Sequence, residues 1–308
     1  MKYTGYKLEF SSAVHLGNGS PEDTGFSLYA DTLFSAMCIE AVNLGILDNL
    51  VEAVKQAKIR ISDAFPYWDN KLYIPKPMVA IEGNGSSKIK KSAKKLEYIP
   101  ANEIDTFLAG RMDVEGEAGK IGQIGKAEIR TMASVSGEEQ TRPFSLGTYR
   151  FSDNWGLYFI VGYEDEDSLY VVDDVINALE YSGIGGKRSI GLGRFKARNF
   201  PLPGSLQDAI NNAKACEHVM TLSISMCGPD ELDGACAEGN FSIIKRSGYV
   251  YSNTYAASPM KKRDMYCFKS GSVFKGTFDG VLADVSISGN HPVYRYAIPM
   301  FMGVRKNG

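Results

Sequence analysis

The sequence predicts an α+β fold with a ferredoxin-like domain over residues 1–203 and a second, strand-rich domain over residues 204–308. Three observations predict it. The chain has 308 residues, a length that suits two domains of ordinary size. Apolar residues make up 44% of it, enough to build real cores. The first two thirds read in the order strand, helix, two strands, helix, strand, which is the order of a split βαβ unit.

The first strand and the first helix follow from periodicity. In YKLEF, Tyr6, Leu8 and Phe10 alternate with charged residues, which is the period of a strand with one buried face. In DTLFSAMCIEAVNLG the apolar residues form one helical stripe, and the pattern predicts Asp31 as the N-cap and Gly45 as the left-handed end. The segment PYWDNKLYIPKP then reads as a hairpin with its turn at Asp69 and Asn70.

A change in composition and in apolar periodicity predicts a long, mobile insertion over about residues 80–127. It is rich in Gly, Ser and Lys and has little apolar periodicity, and it contains the lysine run KIKKSAKK, residues 88–95. Such a run is usually a solvated tip, and the functional alternative is an arm that grips a phosphate backbone or a neighbouring subunit. Strand texture resumes at AEIRTMASVS and GLYFIVGY, and a helix follows in DSLYVVDDVINALEYSG, with Ser168 or Asp167 as its cap and Gly183 as its end.

The segment after that helix, SGIGGKRSIGLGRFKARNF at residues 182–200, is the strongest functional signal. Glycines allow successive backbone N–H groups to converge on an anion, because positive φ is accessible and no Cβ excludes the ligand. The Walker and dinucleotide templates both fail, since Arg188 stands where each requires another residue. After the loop, Arg194, Lys196 and Arg198 alternate with Phe195 and Ala197, which predicts a strand with one cationic face. The alternative is a structural loop with solvated charges.

Composition limits the function classes. The net charge of −2 gives no global attraction for polyanions, so any nucleic-acid site must be local. The amino end lacks the apolar core of a signal peptide and no apolar run is long enough to span a bilayer, so we expect a cytoplasmic protein with no membrane contact. The five cysteines are odd in number and widely spaced, which predicts reduced thiols. The sequence predicts no catalytic signature, metal site or cofactor site.

Several motifs together resemble a known family. The predicted ferredoxin-like order, the Lys-rich insertion, GIGGKRSIGLGRF and the strand-rich second half are similar to the RAMP superfamily of CRISPR proteins. VHLGNG, DTLFSAM, GSVFKG and HPVYRYAIPMFMGV resemble, more narrowly, the family of subunits that cap the 5′ end of the guide RNA in type III-A (Csm) effector complexes, the fourth Csm protein. The resemblance covers nearly the whole chain. It implies a first RAMP domain, similar to an RNA-recognition motif, with a thumb-like insertion and a second, degenerate RAMP-like domain.

The resemblance also implies a function and a set of contacts. It implies a non-catalytic RNA-binding subunit that holds the repeat-derived 5′ handle of the crRNA, with the target RNA nearby. It implies, as protein partners, the large polymerase-like subunit and the backbone RAMP subunit. Carried over to this sequence, it implies these RNA-binding residues: Gly183, Gly185, Gly186, Lys187, Arg188, Gly191, Gly193 and Arg194 in and after the glycine-rich loop; His15 and Gly17 after the first strand; Asp31, Thr32 and Ser35 at the first helix; and Arg130 and Thr131 after the thumb.

Aromatic side chains are further candidates for contacts with RNA. Splayed bases of single-stranded RNA stack on aromatic side chains, and the candidates are Tyr149, Phe151, Tyr294 and Tyr296, which as alternating strand residues could equally be core. One other function is a RAMP endoribonuclease that processes CRISPR precursor RNA with His15 as general base. Such enzymes usually carry the glycine-rich loop near the carboxyl end, unlike this chain. The remaining alternative is a scaffold that binds only proteins.

Overall fold

The computed structural model describes residues 1–17, 19–79, 93–134 and 142–304. Its helices are α1 (Ala30–Leu44), α2 (Leu47–Lys55), α3 (Ile104–Leu108), α4 (Val114–Ile121), α5 (Glu166–Ser182), α6 (Gly204–Asn211) and α7 (Pro229–Ala237). Its strands in the first two thirds are β1 (Lys2–Phe10), β2 (Leu16–Gly17), β3 (Thr24–Gly25), β4 (Ile59–Ile61), β5 (Phe65–Trp68), β6 (Lys71–Pro75), β7 (Tyr98–Pro100), β8 (Gly125–Ser134), β9 (Arg142–Phe151), β10 (Trp155–Tyr163) and β11 (Phe195–Phe200). The last third adds β12 (Val219–Thr221), β13 (Ile243–Arg246), β14 (Met265–Phe268), β15 (Val273–Phe274), β16 (Val281–Asp284), β17 (Tyr294–Ala297) and β18 (Phe301–Gly303).

One antiparallel sheet organises the first two thirds of the chain. Its order is β11-β1-β10-β5-β6-β7, and β4 also pairs with β10. Helix α1 follows β1 and helix α5 follows β10. The Tyr6 hydroxyl of β1 donates to Asp173 of α5 at 2.6 Å, so α5 lies against the face of the sheet that Tyr6 and Leu8 occupy. This arrangement confirms the α+β prediction and its ferredoxin-like order.

Two helix ends and the hairpin turn lie where the sequence predicts them, whereas the two helix caps do not. Gly45 ends α1 with φ of 73°, and Gly183 ends α5 with φ of 77°, as predicted. The hairpin also turns at Asp69, between β5 and β6. The predicted caps are wrong, because Tyr29 occupies the N-cap of α1 and Asp165 caps α5 by accepting from the Ser168 backbone N–H at 2.8 Å. Asp31 lies inside the first turn of α1, where its carboxylate has other partners.

The last third of the chain forms several small antiparallel sheets that pack on the first part. These sheets are β15-β12-β18, β13-β14 and β16-β17. The Tyr296 hydroxyl of β17 accepts from the Ile61 backbone N–H of β4 at 2.8 Å, and its ring lies 5.4 Å from that of Phe34 in α1. One hydrophobic cluster therefore contains residues from both parts of the chain.

The residues between β6 and β10 contain more helix and strand than their composition and periodicity predict. Residues 80–92, with Lys88, Lys90 and Lys91 of the lysine run, lie outside the described residues. From β7 onward the chain forms α3, α4 and the β8-β9 ribbon, and Phe107, Met112 and Ile124 are buried. The strand predicted at AEIRTMASVS corresponds to β8, whereas α3 and α4 were not predicted because they are only five and eight residues long.

All five cysteines, each within the described residues, are free thiols, as predicted. The described residues contain no group of three or more His, Cys, Asp and Glu side chains placed to hold a metal ion. In the same part of the chain, no helix has both the length and the apolar character needed to cross a membrane.

Candidate functional site

A cleft of about 1040 Å³ lies where the two parts of the chain meet. One wall is formed by the loop after β1, the start of α1 and the glycine-rich loop. The other wall is formed by residues between β13 and β14. The cleft is lined by these residues of the predicted RNA-binding set: His15, Gly17, Asp31, Thr32, Ser35, Gly185, Gly186, Lys187 and Arg188. The fold thus brings together three predicted segments that are distant in sequence.

The glycine-rich loop packs directly on the loop after β1. The Gly186 N–H donates to the His15 carbonyl oxygen at 2.9 Å. A Cβ on Gly185 would lie 2.5 Å from that oxygen, and a Cβ on Gly186 would lie 2.6 Å from Cδ2 of the His15 ring. The two glycines are therefore required for contact between the loops, since any side chain would force them apart.

The remaining glycines of the loop close it and do not line the cleft. The Ile184 N–H donates to the Gly193 carbonyl oxygen at 2.9 Å, and Gly193 has φ of 73°. A Cβ on Gly193 would overlap the carbonyl oxygen of Ile184, and one on Gly183 would crowd the Gly193 oxygen. Gly191 needs positive φ only, because a Cβ there meets nothing within 4 Å. These three glycines therefore allow the backbone of the loop to fold on itself and do not contribute surface to the cleft.

The two basic residues of the loop have different environments. Nη1 of Arg188 lies 3.4 Å from Glu40 of α1 and 3.3 Å from the Gly183 carbonyl oxygen, and its guanidinium stacks on Tyr251. Only 15% of the Arg188 side chain is exposed, so it fastens the loop to α1. Lys187 is exposed at the rim, with Nζ 4.9 Å from the centre of the Phe144 ring. Lys187 is thus the freer cation.

Asp31 is buried beneath the cleft and paired with two arginines from the last third of the chain. Its Oδ2 accepts from Nη1 of Arg295 at 2.6 Å, and its Oδ1 accepts from Nη2 of Arg246 at 2.9 Å. The same Nη2 donates to the hydroxyl of Thr32 at 2.9 Å. Burial opposes ionisation of Asp31, but the charges of Arg246 and Arg295 outweigh it and hold the pKa below its usual value.

His15 has one ring nitrogen engaged. Its Nδ1 lies 2.7 Å from the Gly147 carbonyl oxygen, and because a carbonyl oxygen only accepts, Nδ1 carries the proton. Nε2 lies on the Gly17 side of the ring, where a Cβ on that glycine would be 3.2 Å away. The ring is therefore held in one orientation at the cleft.

Sequence reasoning missed the cations contributed by the last third. Arg246, Lys262, Lys269 and Arg295 all line the cleft. Lys269 lies 3.3 Å from Glu97, whereas Lys262 makes no salt bridge or side-chain hydrogen bond in the described part of the chain. A weak signal was present, because Arg295 stands between two tyrosines in a strand pattern, where a charge needs a partner if it is buried.

The aromatic candidates lie mostly in the core. Tyr149 and Tyr296 are buried, and Phe151 stacks on Phe10 with ring centres 4.8 Å apart. The aromatic side chains that do lie exposed at the cleft are Tyr249 and Tyr251, which are 59% and 72% exposed. A two-residue period shows that side chains alternate between two faces of a strand but not which face is buried. The tyrosines predicted from the sequence are therefore not the ones exposed at the cleft.

The other predicted residues lie outside the cleft. Arg194 is exposed immediately before β11, where its carbonyl oxygen accepts from the Ser11 N–H and its own N–H donates to the Ser12 hydroxyl. On the predicted cationic strand, Lys196 lies 3.7 Å from Glu180 and Arg198 lies 2.9 Å from Glu9, so two of the three charges have acidic partners.

The β8-β9 ribbon holds the last two predicted residues. Arg130 pairs with Glu128 at 3.5 Å, and Thr131 lines a smaller cavity of about 520 Å³ together with Phe144. Because Phe144 also contacts Lys187, this cavity adjoins the glycine-rich loop.

Comparisons with known proteins agree with this architecture. Residues 214–304 match the model of the CRISPR Csm4 C-terminal domain. A "CRISPR system Cms protein Csm4" of Mycobacterium tuberculosis (strain CDC 1551 / Oshkosh) is 36% identical over 300 residues, which is 97% of each chain. The chain belongs to the Csm4 family. A Csm4 of Streptococcus thermophilus is 29% identical over 311 residues, 98% of each chain.

Solved structures share the fold of this Csm4-family chain. One is a Csm3-Csm4 subcomplex of the type III-A CRISPR-Cas interference complex, with a TM-score of 0.68 at 19% identity, covering 98% of this chain and 99% of that one. Another is a Csm1-Csm4 cassette in complex with AMPPNP, with a TM-score of 0.62 at 18% identity and full coverage of both chains. The predicted family and fold are thereby confirmed.

Proposed function

We propose that this Csm4-family chain is the non-catalytic crRNA-binding subunit of a type III-A CRISPR effector complex. The 5′ handle of the guide RNA would lie in the cleft between the glycine-rich loop and the residues between β13 and β14. The observation that carries the proposal is the composition of this cleft, in which exposed tyrosines and cations from both parts of the chain face one groove.

Single-stranded RNA needs backbone contacts and stacking surfaces, and the cleft offers both. Lys187 at the rim would contact a phosphate, since its ammonium group is exposed. Tyr249 and Tyr251 would stack on unpaired bases, because their rings are exposed on the opposite wall. The net charge of −2 is compatible with this role, because acidic surfaces elsewhere can face protein partners.

The same proposal includes two protein partners. The similar solved structures contain Csm4 with Csm3 in one case and with Csm1 in the other. We infer that this chain likewise bridges the backbone RAMP subunit and the large polymerase-like subunit, with the target RNA passing nearby. Copurification of the tagged chain with each partner separately, and with both together, tests the bridging role.

RNA binding is tested with the full chain and a labelled repeat-derived RNA. Each phosphate contact lowers the slope of log affinity against log salt by about 0.7 for a single strand. The variant Lys187→Ala should therefore bind more weakly and with a shallower slope. The matched control is Lys214→Ala, which removes one exposed lysine outside the cleft. Absence of salt-dependent binding by the wild type would favour a scaffold that binds only proteins.

Cleavage is the second function to test, because His15 lies at the cleft with Nε2 free of any hydrogen bond in the described residues. A neutral imidazole with that tautomer could accept a proton from a 2′-hydroxyl. The proposed function expects repeat RNA to remain intact after incubation with the purified chain. Cleavage that His15→Ala abolishes would identify an endoribonuclease instead.

A further inference from the structure

The floor of the cleft contains more positive than negative charge. Three cations, Arg246, Lys262 and Arg295, lie around the carboxylate of Asp31, and Asp63 is the one other carboxyl group whose charge acts on Arg246 from the described residues. Asp31 is shared between Arg246 and Arg295 and can neutralise only one charge. Every one of these three cations belongs to the last third of the chain, outside the residues that the family resemblance implied.

Two of the cations are incompletely paired among the described residues. Arg295 has only 4% of its side chain exposed, and its Nε and Nη2 have no hydrogen-bond partner among the described residues. Lys262 is half-buried, and its ammonium group forms no salt bridge there. Burial lowers the pKa of Lys262, and the positive charge of Arg295 lowers it further. Buried charges are normally fully paired, so the incomplete pairing of these cations favours the binding of an anion beside them.

We propose that the floor of the cleft is a phosphate-binding site in which Lys262 and Arg246 contact one phosphate of the bound RNA strand, while Arg295 beneath them supplies further positive charge. The proposal rests on the proposed function and adds the contacts from the last third of the chain. Tyr249 and Tyr251 stand at the same wall, so a base next to that phosphate could stack while its backbone is held below.

The geometry separates the floor from the rim. Lys187 is exposed and positions a strand at the edge of the cleft, whereas Asp31 and Arg295 are each only 4% exposed in their side chains. Electrostatic attraction is stronger in such a poorly solvated place and less screened by salt ions. A phosphate at the floor should therefore contribute more to affinity than one at the rim.

The test compares Lys262→Met with Lys245→Met in the full chain. Methionine keeps the apolar stem of lysine and removes only the charge. Lys245 belongs to β13 next to Arg246, but it pairs with Asp264 at 2.7 Å and does not line the cleft. For repeat-derived RNA, Lys262→Met should weaken binding about tenfold and reduce the salt slope by about 0.7, whereas Lys245→Met should change neither.

A second measurement distinguishes RNA phosphate from free phosphate. Thermal unfolding of both variants and the wild type is followed in inorganic phosphate and in chloride at equal ionic strength. If phosphate stabilises the wild type but not Lys262→Met, and RNA binding is unaffected by the substitution, the floor binds a free anion and the proposal is overturned. An unchanged RNA affinity and salt slope in Lys262→Met overturns the floor site and leaves the proposed function intact. Failure of the wild type to bind RNA overturns both the proposed function and the floor site.

Discussion

The two walls of the cleft are built in opposite ways. The wall of the first part depends on backbone: its glycines allow the loop to close and to pack on the loop after β1, and Arg188 is engaged with Glu40. The wall and floor of the last third depend on side chains, with Arg246, Lys262 and two exposed tyrosines. The difference teaches that a glycine-rich motif can shape a cleft while residues far away in sequence supply most of its positive charge and its exposed aromatic surface.

Removal of the carboxylate under the floor should produce the largest effect. Asp31→Ala leaves Arg295 and Arg246 without their partner, and breaking a buried pair in this way costs about 3–5 kcal/mol. Urea unfolding measures the loss. The control Asp264→Ala removes the partner of an exposed ion pair with Lys245 and should cost at most about 1 kcal/mol. Equal losses in the two variants would show that the floor is not held by this pairing.

The glycine-rich wall is tested by a pair of matched glycines. Gly193→Ala places a Cβ against the Ile184 carbonyl oxygen in a left-handed residue, and we expect a loss of about 3 kcal/mol in unfolding free energy. Gly191→Ala has the same kind of φ but open space, so it should lose only about 1 kcal/mol. If both variants lost the same amount, conformational strain alone would explain the glycines and close packing would not.

A buried carboxyl group that joins the two parts gives a pH-dependent prediction. Oδ1 of Asp63 accepts from the backbone N–H groups of Ala30 and Ile224, while Oδ2 has no partner in the described residues. Burial raises the pKa of Asp63 to about 6. The folded state therefore holds this proton more tightly than the unfolded state, so stability falls as the pH rises from about 4 to about 6, by about 2–3 kcal/mol.

Comparison with Asp63→Asn isolates that contribution. The amide keeps an oxygen acceptor for the two N–H groups but does not titrate, so the fall in unfolding free energy between pH 4 and pH 6 should shrink. Urea unfolding across this range measures it. A variant with the same pH profile as the wild type would assign the dependence to other groups.

The smallest expected effect concerns stacking. Tyr251→Ala should weaken binding of repeat-derived RNA by about 1–3 kcal/mol, because each aromatic group that stacks on a base contributes about that much. The control Tyr266→Ala removes a tyrosine of similar exposure, 58%, that lies outside the cleft. Fluorescence anisotropy measures both affinities. If Tyr266→Ala weakened binding as much as Tyr251→Ala, the RNA would lie on another surface.

The sequence predicted the parts of the fold that depend on local pattern. Tyr6 and Leu8 in β1, the left-handed Gly45 and the stop at Gly183 follow from residues only a few positions away. It also predicted the loops that border the cleft, because glycine and basic residues are concentrated there. The caps were less predictable, because several polar residues stand near the start of each helix and each could have been the N-cap. Tyr29 and Asp165 occupy those positions in the structure.

The floor of the cleft could not be predicted in this way. Arg246 and Arg295 meet Asp31 across 215 and 264 positions of sequence, so no local window contains the pair. Tyr251 and Tyr296 have similar strand-like surroundings in sequence, yet one is exposed at the cleft and the other is buried against α1. Only the packing of the last third on the first part decides which face each strand presents.

The row of cations on β11 has one more consequence. β11 is the outermost strand next to β1 in the large sheet, and an outermost strand offers unpaired backbone groups to any other strand that approaches. Lys196 and Arg198, held by Glu180 and Glu9, place charged side chains along that border. Charged side chains along an outermost strand disfavour its pairing with a further strand, so the same residues that pair with Glu180 and Glu9 also protect this border of the sheet.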